Sequence, residues 1–147
     1  MKQQWGLLSI LLVLVCGVAK ADPIIDACKS FSNKAYVREA CMKRAQSVAH
    51  VAACRNASNF ADGRYHCISA VLDLDQIKAC IGFSSKLEGR ISCFRAARTV
   101  EMINGCRDFS QFMEGRTACI HHARNLRDIE ICKMYTTLQA RQACILR

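Results

Sequence analysis

Two kinds of apolar block alternate along the chain. In one, apolar residues fall at the three-and-four spacing of a helix face, as in Leu87, Ile91, Phe94 and Ala97. The other opens on a pair three residues apart: Val48 and Val51, Leu74 and Ile77, Val100 and Ile103, Leu126 and Ile129. A residue able to cap a helix precedes each block. Ser32, Ser58, Ser84, Ser110 and Thr136 precede the first kind, and Ser47, Asp73, Thr99 and Asn125 the second, both at a period of 26 residues. A side-chain oxygen at such a position accepts one of the amide protons that the first helical turn leaves orphaned. The cap spacing predicts a long helix of about 14 residues after the first series and a short one of about 10 after the second. Strand-like alternation is absent and Pro23 is the one proline, so the expected class is all-α.

The cysteines carry the same rhythm. Cys28, Cys41, Cys54, Cys67, Cys80, Cys93, Cys106, Cys119, Cys132 and Cys144 are separated by eight intervals of 13 residues and a final one of 12. Alternate cysteines have different neighbours, which makes the repeat 26 residues long. Three residues before one class stands Ile25, Val51, Ile77, Ile103 or Ile129; before the other stands Arg38, Arg64, Arg90, Arg116 or Arg141. Three residues after the first class comes Phe31, Ala57, Phe83, Phe109 or Tyr135, a position suited to core plugs between helices. One helix pair cannot bury its own apolar face. Ten helical segments are therefore expected to stack as a disulfide-stapled solenoid or compact superhelix.

Two connectivities respect the repeat. In the first, Cys28 joins Cys41, Cys54 joins Cys67, Cys80 joins Cys93, Cys106 joins Cys119 and Cys132 joins Cys144. In the second, Cys41 joins Cys54 and so on, which strands Cys28 and Cys144. A helix starting at its Ser cap favours the second, because Cys28 and Cys41 would be offset by roughly 7 Å along their helices. Parity favours the first, since it leaves no lone thiol, and it is the pairing expected here. Each bridge would contribute about 3 kcal/mol through the chain entropy of the unfolded state, so reduction should unfold the protein or nearly so. Gly63, Gly89 and Gly115, each just before an Arg of the series, cost about 1 kcal/mol inside a helix and imply close backbone approach or a helix start near the Arg.

Such cysteine usage belongs to an oxidising compartment, and the N-terminus agrees. Lys2, an apolar run from Leu7 to Val15 and the Ala19-Lys20-Ala21 site have the form of a secretory signal peptide over residues 1–21. The run is too short to span a membrane. A cysteine-rich repeat domain over residues 22–147 follows, secreted or periplasmic, with no membrane span after cleavage. It carries 19 basic against 12 acidic residues, a net charge of +7. That charge suits an anionic surface polymer or an acidic protein, and nucleic acid is disfavoured because no reading motif accompanies it.

Candidate chemistry is sparse. The series Arg38, Arg64, Arg90, Arg116 and Arg141 would form a ladder, one rung per unit. It is readable as an anion-binding stripe or, preferably, as scaffold in which each guanidinium meets an acidic neighbour or a helix-end carbonyl of the adjoining unit. Lys43, Arg44, Arg55, Arg95, Arg98, Arg107, Arg124 and Arg127 differ between units and are expected to face solvent. His121 and His122 diverge by about 100° on a helix and cannot share one site. Cys67 beside His66 is expected to be bridged and so offers no thiolate nucleophile. Zinc would want closely spaced Cys pairs, which the chain lacks. No catalytic motif appears, and neither an enzyme nor a cofactor is expected. Asn56-Ala57-Ser58 matches a glycosylation acceptor. The plan of stacked helix pairs resembles secreted Sel1-like and tetratricopeptide arrays, whose units are longer. That likeness is one of architecture and carries no function. The expected role is a binding scaffold for a protein or an anionic surface polymer, with a cationic effector acting on membranes as the alternative.

Overall fold

The computed structural model describes residues 22–70 and 72–147; the signal peptide expected over residues 1–21 lies outside the described residues. Ten helices follow one another, with no strand among the described residues: α1 (Pro23–Lys29), α2 (Ala35–Arg44), α3 (Val48–Ala57), α4 (Ala61–Ala70), α5 (Leu74–Phe83), α6 (Leu87–Ala96), α7 (Val100–Arg107), α8 (Met113–His122), α9 (Leu126–Lys133) and α10 (Leu138–Ile145). Odd helices pack on odd helices and even on even, while each odd helix also pairs with the even helix that follows it. The result is a two-layer stack of five units.

The core lies between the layers. Val51, Ile77, Ile103 and Ile129 enter from the odd helices, and Val37, Ile68, Phe94 and Ile120 from the even ones. Phe31, Phe83 and Phe109 plug the turns between layers and are fully buried, whereas Tyr135 is 46% exposed and Ile25 is 42% exposed. The terminal members of these two series thus depart from the expected burial, because no further unit covers them.

All five bridges link an odd helix to the next even helix: Cys28–Cys41, Cys54–Cys67, Cys80–Cys93, Cys106–Cys119 and Cys132–Cys144. Their Cα–Cα distances of 5.4 to 5.5 Å are ordinary for disulfides. The offset expected for this pairing is removed by a correction to the helix starts. Ser47, Asp73, Thr99 and Asn125 cap α3, α5, α7 and α9 as expected, each accepting an amide of the first turn. The other series does not cap. Ser32, Ser58, Ser84 and Ser110 accept the amides of Lys34, Phe60, Lys86 and Phe112, two residues on, in a side-chain-closed turn. The even helices start three residues after these serines. At 1.5 Å per residue this shift of about 4.5 Å brings the paired cysteines level. α10 is capped by Thr137, whose Oγ1 accepts from the Ala140 amide, and not by Thr136. The expected long and short helices consequently become 10 residues in α2, α4, α6 and α8 and 7 to 10 in the odd layer.

The glycines mark a helix start near each Arg as expected, but what approaches them is side chains and not a second backbone. Each lies in the first turn of an even helix, and a Cβ on Gly63 would sit 2.4 Å from Ser58 Oγ and 2.7 Å from Leu87 Cδ1. On Gly115 it would meet Ser110 Cβ at 2.6 Å and Leu138 Cδ1 at 2.7 Å. The turn serine and the next unit's first helical residue both occupy the space that a side chain would need.

Candidate functional site

The arginine ladder is the most regular polar feature of the stack. Arg64 donates from Nε to the Ser58 carbonyl at 2.8 Å and from Nη1 to the Phe31 carbonyl at 2.6 Å. Arg90 does the same to Ser84 and Ala57, at 2.8 and 2.9 Å, and Arg116 to Ser110 and Phe83, at 2.7 and 2.9 Å. Arg141 reaches Tyr135 at 2.6 Å and Phe109 at 2.7 Å. Arg38, with no unit before it, donates to its own Ser32 carbonyl at 2.8 Å. Each interior fork therefore ties its own turn to the C-terminal end of the odd helix in the preceding unit, where orphan carbonyls gather negative dipole charge. The partners are carbonyls; no carboxylate lies within ion-pair reach of these five arginines among the described residues. The outer edges of Arg116 and Arg141 line two shallow clefts of about 280 and 380 Å³, between which Phe112 stands 51% exposed.

The unit-variable cations divide into two groups. Lys43, Arg44, Arg95, Arg124 and Arg127 are exposed. Arg55 and Arg98, by contrast, are half-buried and bind backbone, which corrects the expectation that they face solvent. Arg55 Nη2 donates to the Ala27 carbonyl at 3.0 Å and to Ser30 Oγ at 2.9 Å, and Arg98 donates to the Ile120 and His121 carbonyls at the end of α8. Arg107 is also half-buried and pairs with Asp108. At the loop edge before the even helices, Lys34, Phe60, Lys86 and Phe112 are all exposed at one repeat position.

His121 and His122 are both exposed near the end of α8 and do not converge on one site. His50 is buried, and its Nδ1 accepts from the Gln46 amide, so the ring proton sits on Nε2. Burial pushes its pKa below the usual histidine value. Cys67 is bridged and His66 accepts from Arg95, so the adjacent pair offers no nucleophile. Asn56 is exposed in the last turn of α3 while Ser58 is buried. The described residues contain no cluster able to hold a metal ion and no helix long and apolar enough to cross a membrane.

The periodic reading passes over one cluster, on the outer side of the even layer. The Tyr36 and Tyr65 rings meet edge to face at 5.6 Å, and Tyr36 Oη donates to Asp62 Oδ1 at 3.0 Å. That carboxylate raises the Tyr36 pKa. Tyr65 lies 5.4 Å from the His66 ring, whose Nε2 accepts from Arg95 Nη2 at 3.0 Å. Burial first and the Arg95 charge second lower the His66 pKa. The signal for this cluster in the sequence is a break in the pattern: the corresponding places in other units hold Glu88 and Glu114, or Ile91 and Thr117. The chain matches no protein-family model, no curated protein and no solved structure.

Proposed function

We propose that the chain is a secreted or periplasmic binding scaffold, not an enzyme, that recognises an anionic surface polymer or an acidic protein, with the polymer favoured. The observation that carries this reading is the division of labour among cations. The repeat-fixed arginines commit their forks to carbonyls inside the stack, whereas Lys34, Arg44, Lys86, Arg95 and Arg127 stay exposed on top of a net charge of +7. A rigid surface that keeps exposed cations on several units, Lys34 and Lys86 at one repeat position and the others scattered, suits an extended polyanion. Arg116 and Arg141, which line their clefts, add to that field. The five bridges support an oxidising compartment, and a leader over residues 1–21 would give the chain a route there.

Retention on an immobilised acidic polysaccharide tests the reading. The oxidised protein should be held and elute with salt, whereas the reduced, unfolded chain of equal charge should be held less tightly. Equal retention of the two would mean that charge alone binds and would remove the scaffold from the account. The second reading, a cationic effector acting on membranes, is favoured by the C-terminal end of the stack, where Ile131, Met134, Tyr135 and Leu146 are exposed. Leakage of anionic vesicles caused by the oxidised protein would select it.

A further inference from the structure

Positions that maintain this scaffold repeat from unit to unit, as the cysteines, arginines and first-turn glycines do. Tyr36 and Tyr65 do not repeat. They are also 48% and 36% exposed, too open for burial of their rings to explain their presence. Between α2 and α4 the two rings wall a cleft of about 320 Å³ with Ala40 and Ser69 at its base. Lys43 and Arg44 stand at one end. Lys43 is paired with Glu39 at 2.6 Å, whereas Arg44 makes no ion pair among the described residues. The walls are fixed from behind: Asp62 holds the Tyr36 hydroxyl, and the Arg95–His66 contact backs Tyr65. A site whose side chains are already held in place loses less entropy on binding.

We infer that this cleft is a subsite for one acidic sugar residue of an anionic polysaccharide. The inference rests on the scaffold reading above and specifies where and how it acts. The apolar C–H face of a sugar ring lies against the tyrosines, its hydroxyls meet Ser69 and Glu39, and its carboxylate or sulfate takes the free Arg44 fork beside Lys43. A peptide anchor would need a deep apolar hollow, and the base here is Ala and Ser in an open cleft.

The test uses tyrosine emission. Trp5, the single tryptophan, lies in the leader, so a processed protein emits only from Tyr36, Tyr65 and Tyr135. Oxidised processed protein is titrated with a short oligogalacturonate, with a neutral oligosaccharide of equal length and with an oligoglutamate peptide. A saturable change is expected with the acidic sugar alone. Tyr65→Leu and Arg44→Gln should each weaken it about tenfold, the scale of one good contact, with the thermal midpoint retained, and Tyr135→Phe should leave it unchanged. If the wild type is held on the polysaccharide column yet both cleft variants bind like it, the polymer sits elsewhere and the subsite is overturned while the scaffold reading stands. If the column retains nothing, the scaffold reading itself falls and the subsite with it. Saturation by the peptide and not by the sugar would overturn the ligand assignment in favour of a protein partner.

Discussion

A single residue type, serine, does two different jobs in each unit, and the difference is made by what packs on it. Ser47 accepts the His50 amide at 3.0 Å, a purely local contact, and its role as a cap is readable from the sequence. Ser84 looks the same in sequence, yet its Oγ closes a turn on Lys86 while its carbonyl receives Arg90 and its Cβ fills the space opposite Gly89. Glycine at 89 is thus required by volume. Ala would gain about 1 kcal/mol of helix propensity but would have to fit a Cβ 2.5 Å from Ser84 Cβ, and overpacking costs about 1–3 kcal/mol. Gly89→Ala should therefore lower stability by up to about 2 kcal/mol in denaturant titration, and in a Ser84→Gly background the same change should be neutral or stabilising. A higher unfolding midpoint for Gly89→Ala alone would contradict the packing argument. The first unit carries Val37 at the equivalent place, and the residue in register above it is Ala61 where later units have Leu87, Met113 and Leu138. Volume has moved from one side of the contact to the other.

Between elements, the arginine forks supply what the disulfides do not. Each bridge staples a helix pair internally, at a sequence separation of 12 or 13, and none joins one unit to the next. Neighbouring units are held by apolar packing and by hydrogen bonds such as Arg90 to the Ala57 carbonyl. Lysine at position 90 keeps the charge but cannot reach Ser84 and Ala57 together with a planar fork. Arg90→Lys should cost about 1–3 kcal/mol, the range for leaving a buried partner unsatisfied, with polysaccharide retention unchanged. Loss of retention with unaltered stability would mean that the ladder binds anions and does not brace the stack. The helix count, class and pairing partners were legible because periodicity and cysteine parity are properties of the string. The starts of the even helices were not, since the carbonyls that Arg90 and Arg116 seek belong to residues 33 positions away.

For the whole molecule, the ends of the stack matter as much as its repeat. The last loop is one residue shorter. In consequence the Tyr135 carbonyl, whose counterparts at Phe31, Ala57, Phe83 and Phe109 receive the next unit's arginine, accepts from its own Arg141. Ile131 stands where the interior units have Ala53, Ala79 and Gly105, and it is 48% exposed. Stability as a function of pH is also a whole-molecule sum. The pKa values of His50, His66 and His121 all lie below 6.5, burial being the largest cause in each, with Arg95 acting second on His66 and His122 second on His121. The folded state then binds fewer protons than the unfolded chain. Their contribution is complete above pH 6.5 and is lost as pH falls from there toward the folded values. The melting temperature should fall between pH 7.5 and 5, roughly the window in which unperturbed histidine titrates. His50→Gln should flatten that fall without loss at neutral pH, since Gln76 at the equivalent position already bonds Asp73 and the Arg98 carbonyl. A slope unchanged in that variant would assign the effect to the other two histidines.

What the sequence alone determined is what repeats: the all-α class, the 26-residue unit and the ten helices. Each of these follows from spacing along the chain, because a helix turn and a short closed loop are local objects. The tertiary structure decided which of two serine series caps a helix, which cations are bound to backbone and which remain free, and that Tyr36 and Tyr65, 29 positions apart, wall one cleft. These depend on contacts between units, and the sequence encodes the distance between such residues only after the stack has formed.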